Sequence, residues 1–271
     1  VSWTVVGAYE ASDLELARIG LDSKLATADT LESRRVSDDS DNEDPEYPVV
    51  NVTRRNTYET WRATTWSPKI VASWSAPVDV NYLAIARHNI GSAGITDGSL
   101  WVTPTGGSLT KVADFGSDDD APLLVPFAST EIEAAEIRFG TNAPSIVAVV
   151  HLGEAVVMER PLRASMQPVW LSRQTTVETQ TSEAGEVLGS VLVRRGGAVS
   201  PSWNNLSRSF YNATLEALAR DLPANPFFLA WQPDEHPDEV LYGTLTGDVT
   251  GDHIARSSRY SFAFDMRGIA P

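Results

Sequence analysis

Apolar and polar residues alternate with a period of two over much of this chain. Tyr260, Phe262, Phe264 and Met266 stand at every second position, with Ser261, Ala263 and Asp265 between them. Successive side chains of a strand point to opposite faces, so this segment predicts one half-buried strand. Ile137 and Phe139 alternate with Glu136 and Arg138 in the same way. Two runs are apolar throughout, Leu83-Ala84-Ile85-Ala86 and Ile146-Val147-Ala148-Val149-Val150. Such runs predict strands covered on both faces. Thr175 to Thr181 is polar and rich in β-formers, Ser182-Glu183-Ala184-Gly185 forms a turn, and Val187 to Val193 leads back. That order predicts an exposed hairpin over 173–193.

One stretch keeps the helical period instead. In SRSFYNATLEALARDLP, residues 207–223, Phe210, Thr214, Ala217, Leu218 and Leu222 fall near one face. Ser207 or Ser209 can cap the start, and Pro223 ends the helix. Leu14-Glu15-Leu16-Ala17 fits a short helix or a strand. Beyond the apolar pair Val156-Val157 comes MERPLRASMQP, with two prolines and mixed charge. The pattern therefore predicts an all-β fold of two β-sandwich domains, 1–157 and 158–271, the second with one α-helix, 207–222, packed beside it.

Composition narrows the functions open to such a fold. Of 271 residues, 42% are hydrophobic, enough for real cores. There is no cysteine, which excludes disulfides, thiolate metal sites and a cysteine nucleophile. The net charge is −15 and the only lysines are Lys24, Lys69 and Lys111. No basic patch offsets this, so nucleic-acid binding is not expected, and no apolar stretch approaches the ~20 residues of a spanning helix, so membrane insertion is not expected either. The N-terminal VSWTVVGAYE lacks the pattern of a signal peptide, and a leading Val is what removal of an initiator Met would leave.

Candidate chemistry is sparse. SDDSDNEDPE, residues 37–46, could hold Ca²⁺ through Asp39, Asp41 and Glu43, but it lacks the glycine and bidentate glutamate of a helix–loop–helix calcium loop. The alternative is a solvated loop that self-repels and extends. Asp118-Asp119-Asp120 poses the same choice. The four histidines show no metal-binding spacing, and there is neither a G-x-S-x-G elbow nor a phosphate-binding glycine loop. No catalytic residue is assigned, and an enzyme is not expected. Trp61 and Trp74 read as core, whereas Trp66, in Thr65-Trp66-Ser67-Pro68, reads as exposed and able to stack on a sugar. PFFLAWQPDEHPDEVLYG, residues 226–243, sets His236 among acids between two apolar runs, either as a site or as the tip of a loop.

Two stretches carry resemblances. From Tyr47 to Gly94 the chain resembles the discoidin or galactose-binding-like jelly roll. The similarity rests on Trp61-Arg62-Ala63, Ala76-Pro77 and Ile85-Ala86-Arg87-His88-Asn89. It implies a sandwich whose loops at one end bind glycan or Ca²⁺, but the family's binding residues do not map onto this chain one by one. From the residues themselves, Trp66, His88 and Asn89 are the candidate sugar contacts; the alternative for His88-Asn89 is to satisfy backbone groups of a loop in which Gly91 and Gly94 can take φ > 0. The helix, the 226–243 segment and the final alternating strand are similar to minor tail proteins of tailed bacteriophages, of the distal tail and tube kind. That similarity implies a virion structural protein at the distal end of the tail. It implies a three- or sixfold homo-oligomeric ring beside tube, hub and tape-measure proteins. Residues 234–239 become a loop tip and His236 no site. Arg54, Arg55, Arg194 and Arg195 become candidates for pairing with acidic loops of neighbouring copies, and the 173–193 hairpin a bridge between them. The alternative is a carbohydrate-binding module for attachment to a host surface glycan.

Overall fold

The computed structural model describes residues 16–141, 146–162, 169–233, 236, 239–254 and 259–269, with backbone alone at 170, 194, 195 and 254. In chain order the first strands are β1 (Arg18–Gly20), β2 (Thr30–Arg35), β3 (Trp61–Arg62), β4 (Pro68–His88), β5 (Gly98–Pro104), β6 (Thr110–Phe115), β7 (Leu123–Arg138), β8 (Ile146–Gly153) and β9 (Val156–Val157). They are followed by β10 (Arg173–Thr181), β11 (Val187–Val199), β12 (Ser202–Ser207), β13 (Phe227–Ala230), β14 (Val240–Leu245), β15 (His253–Ile254), β16 (Arg259–Ala263) and β17 (Met266–Ile269).

Strands β2 to β8 build a jelly roll. Two long strands, β4 and β7, run through both of its layers. The first half of β4 lies between β2 and the end of β7, which continues into β5 and β6. The second half lies between the start of β7 and β8, with β3 beyond. Register shifts between Ser73 and Val78, and again between Val80 and Tyr82, separate the halves. Such irregularities bend a strand, and here they let one strand serve both layers. Ile70, Leu100 and Ile137 from one layer share a core with Trp61, Leu83 and Val147 from the other. Trp61, Phe139 and Phe115 pack ring against ring within it.

The second unit is a sandwich of a large sheet, β10-β11-β17-β14-β13-β1-β9, and a small one, β12-β16-β15. Ile19, Phe227, Leu229 and Leu241 face Trp203, Leu206 and Phe262, with Leu215, Leu218 and Leu222 of the helix closing the core. Two strands that fall inside 1–157 join this sheet, since β1 pairs with both β13 and β9. Of the ambiguous N-terminal stretch, Leu14 and Glu15 lie outside the described residues, and Ala17 accepts a hydrogen bond from the Met158 amide just before β1.

Two expectations need correction here. The segment from Tyr260 to Met266 is not one strand: β16 belongs to the small sheet and β17 to the large one, and the chain crosses between them at Phe264 and Asp265. The alternation survives because both sheets line the same core. The helix is not uniform either. An α turn Arg208–Phe210 leads into a π turn Tyr211–Leu215, then Glu216–Asp221 is α and Leu222–Ala224 is 3-10. Ser207 caps it, its Oγ accepting from the Phe210 amide at 3.2 Å.

The two units meet through a third apolar cluster. Tyr82, Ala84, Ala86 and Ala148 on the outer face of the jelly roll pack against Phe228, Ala230, Val240 and Tyr242 of the large sheet. This is why the Leu83–Ala86 and Ile146–Val150 runs are apolar at every position: one face lies in the core and the other in the junction.

Candidate functional site

The start and the end of β4 lie at the same end of the jelly roll. The Phe139 amide donates to Pro68 O, and the Phe139 ring lies 5.4 Å from Trp61. Trp61 is opposite Val147, which is opposite His88. Trp66, just before β4, and His88, its last residue, are thereby brought to one end together with the acidic loop.

That loop is not extended and self-repelling. Asn42 is fully buried beneath it, and its Oδ1 accepts from the Thr64 hydroxyl at 2.9 Å and from the Thr65 amide and hydroxyl at 2.8 Å. Cations neutralise the rim: Arg35 holds Asp38 at 3.0 Å, and Lys69 bridges Asp39 at 2.9 Å and Glu136 at 3.0 Å. The hydrogen bond from Lys69 holds the Asp39 carboxyl below the usual range. The proposed calcium ligands therefore face separate partners. Asp39 engages Lys69, Asp41 accepts from the Glu43 amide, and Glu43 accepts from the Val49 amide. Among the described residues no group of three or more acids and histidines is placed to hold a metal.

Of the three sugar-contact candidates only Trp66 is open. It is 52% exposed, with the Arg35 guanidinium 4.8 Å from its ring centroid. His88 is buried, and its Nδ1 accepts from the Ile90 amide at 3.2 Å. Burial pushes its pKa down to about 4, so it is neutral near pH 7. Asn89 is occupied with the backbone, its Oδ1 accepting from the Ile146 amide at 2.7 Å. His88 thus braces the start of the 89–95 loop and Asn89 ties it to β8, each through a backbone amide. The Ser92 amide donates to Asp120, and a Cβ at Gly91 would collide with the Asp119 backbone, so the second acidic run also serves to fasten this loop.

The arginine candidates divide. Arg54 pairs with Glu59 of its own chain. Arg55 lies at the junction, where its carbonyl accepts from the Tyr242 hydroxyl at 2.7 Å and its Nη1 is buried. It is thus not presented to a neighbouring copy. Arg194 and Arg195 stand in β11 opposite Thr176 and Thr175, and their side chains lie outside the described residues.

Residues 226–243 form a braced loop. Phe227–Ala230 and Val240–Leu245 pair as neighbouring strands. Between them the Trp231 and His236 rings stack at 5.2 Å, 6° from parallel, and the Trp231 indole donates to the buried Glu239 carboxylate. Asp234, Glu235, Pro237 and Asp238 lie outside the described residues.

Sequence reading missed His151. It lies in the junction, edge-on to Phe228 and Tyr242, with Tyr82 Oη 3.4 Å from its Nδ1. Burial pushes its pKa down to about 3. A polar residue closing the apolar run VAVVH was the available signal. A cleft of about 330 Å³ opens nearby between Ile19, Leu21, Asp22, Arg55, Leu218 and Asp221.

The most conspicuous surface feature is the hairpin. Every residue of β10 is exposed, and Val187, Leu188, Val191, Leu192 and Val193 of β11 are between 44% and 69% exposed.

No family model matches the chain, and no curated protein does. Solved structures similar to it include three carbohydrate-binding domains. CpGH89CBM32-5 from Clostridium perfringens, in complex with GalNAc-β-1,3-galactose, is 12% identical and covers 49% of this chain and 100% of its own, with a TM-score of 0.40. The family 32 module of C. perfringens NanJ, in complex with galactose, is 14% identical over 50% of this chain and 98% of its own, with a TM-score of 0.39. The lectin domain of lectinolysin, complexed with Lewis B antigen, is 7% identical over 50% of this chain and 100% of its own, with a TM-score of 0.39.

Proposed function

We propose that this protein is a non-catalytic structural component of a bacteriophage tail tip. It works as a homo-oligomer placed at the distal end of the tail beside tube, hub and tape-measure proteins. The observation that carries the reading is the hairpin of β10 and β11. A run of exposed branched aliphatic residues on a strand is an association surface, because soluble chains otherwise blunt such edges with charge or cover. The second sandwich supplies the ring, three- or sixfold, and the jelly roll faces outward. Gold-labelled antibody on purified particles tests this. Label at the distal end of tails is the expected result, and label absent from every particle overturns the reading.

A second reading has its own observation. Trp66 stands half-exposed at the loop end of the jelly roll with a guanidinium against its ring, an arrangement that suits stacking on a sugar. In this reading the jelly roll engages a host surface glycan, alone or as the adhesive part of the tail tip. Selective hits on a glycan array that disappear on Trp66→Ala support it, and an array without selective hits removes it.

A further inference from the structure

The hairpin has a free edge of its own. β11 pairs with β10 along Arg173–Thr181, but it meets β17 only at Gly197, Ala198 and Val199. Ahead of Gly197, no described strand lies on its other side. The backbone groups along that side of 187–195 therefore offer a template for another strand. The hairpin is also stiff: Gly185, at φ +82°, closes a tip in which the Gly185 amide donates to Ser182 O at 2.9 Å and the Ser182 amide to Glu186 O at 2.8 Å.

Charge selects the occupant. In a chain of net charge −15, residues 173–199 are balanced, with Arg173, Arg194 and Arg195 against Glu178, Glu183 and Glu186. Two copies can meet here without the repulsion that opposes contact elsewhere. The charges are also segregated. Glu183 and Glu186 sit at the tip, whereas Arg194 and Arg195 sit toward the base, opposite Thr176 and Thr175. Hairpins laid side by side in the same direction would set acid against acid and arginine against arginine. Laid head to foot, each tip meets the other base.

We infer that β11 of one copy pairs antiparallel with β11 of a second copy about a two-fold axis through Val191, joining two hairpins into one four-stranded ribbon. This rests on the reading of the hairpin as an assembly element; because neighbours within a cyclic ring meet through unlike surfaces, the two-fold contact joins a copy in one ring to a copy in a second ring facing it. The axis is placed by the charges at the two ends of the strand: Val191 is midway between Val187, next to Glu186 at the tip, and Arg195 at the base. Ser190 then lies opposite the second copy's Leu192, within the regular stretch Gly189–Leu192. Bulges between Thr176 and Val177 and between Gln180 and Thr181 flank this centre and confine the regular ladder to it.

The absence of native cysteine makes the test clean. In the full chain, Val191→Cys should form a disulfide-linked dimer under mild oxidation about tenfold faster than Val177→Cys, a half-exposed position on β10, because only residues whose Cα atoms approach within about 7 Å can be bridged. Arg194→Glu/Arg195→Glu and Glu183→Arg/Glu186→Arg should each be monomeric by light scattering, and mixing the two should restore dimers. Equal cross-linking at both cysteine positions, or no dimer on mixing, overturns the pairing. Tails that label with antibody although Val191→Cys fails to cross-link would reject the pairing alone. Cross-linking without any labelled tail would reject the tail assignment alone.

Discussion

The imidazole of His151 meets the ring of Phe228 edge-on, with 5.1 Å between centroids. His151 is on β8 of the jelly roll and Phe228 on β13 of the second sandwich, so this contact joins the two units. It sets a titratable group in an apolar junction. The imidazole donates a hydrogen bond to the Gly20 carbonyl, and the buried Nη1 of Arg55 has no hydrogen-bond partner. Replacing His151 with Phe removes a buried polar group, but it also takes the donor from that carbonyl and sets a larger ring in a filled junction. The expected change in stability in urea is within about 1 kcal/mol of the parent. His151→Asp should lose about 3 kcal/mol or more, since it buries a charge among apolar rings. A Phe variant that unfolds far more easily than the parent would mean that the bond to Gly20 outweighs the cost of burying the imidazole.

The same burial makes the fold sensitive to acid. The folded pKa is pushed down to about 4 at His88 and about 3 at His151, from 6.5 in the unfolded chain. The unfolded state therefore binds more protons as pH falls through 6.5. The stabilisation from keeping both rings neutral is whole above pH 6.5 and is lost progressively down to the folded values. Each histidine contributes a slope of about 1.4 kcal/mol per pH unit in that window. Urea midpoints between pH 7 and 5 should fall steeply in the parent and about half as steeply in His151→Phe. An unchanged slope in the variant would contradict the burial of that ring.

Asn42 is the pin of the acidic loop. Its carbonyl oxygen collects three donors from Thr64 and Thr65, and its own backbone bonds to Ser33 on β2. Asn42→Ala removes the acceptor of three donors on Thr64 and Thr65, which are exposed enough for water to take its place, so the loss should be about 1 kcal/mol. It should also raise amide exchange over 37–46 more than elsewhere. Exchange spread evenly over the chain would mean that the loop is held by its salt bridges instead.

How much of this was legible in the sequence depended on whether the signal was local. The period-two runs gave strands, and the helical face from Phe210 to Leu222 gave a helix with the right cap, because periodicity and capping are set within a few residues. The split between β16 and β17 was not legible, since both strands line one core and keep the alternation across the crossing. Nor was the membership of Arg18–Gly20 in the second sheet, where three residues are too few to show a pattern. For the site, Trp66 was readable as exposed because it stands in a polar turn. His88 and Asn89 read either as holding loop backbone groups or as ligands, because histidine and asparagine in a loop can serve both, and the distances to Ile90 and Ile146 decide for the backbone.

The last prediction separates binding from structure at the loop end of the jelly roll. Trp66 is half-exposed, with the Arg35 guanidinium over its ring. Trp66→Ala should therefore change stability by less than about 1 kcal/mol, the size of an exposed cation–π contact. Asn89→Ala removes the acceptor of the Ile146 amide and should cost about 1–3 kcal/mol. If the end binds glycan, retardation of the protein in gels containing a bound polysaccharide should vanish in Trp66→Ala while its urea midpoint holds. Asn89→Ala should show the reverse, a lowered midpoint with binding retained at low temperature. Loss of retardation in both variants, each with an unchanged midpoint, would return Asn89 to the role of ligand and contradict its place as a fastening for the loop.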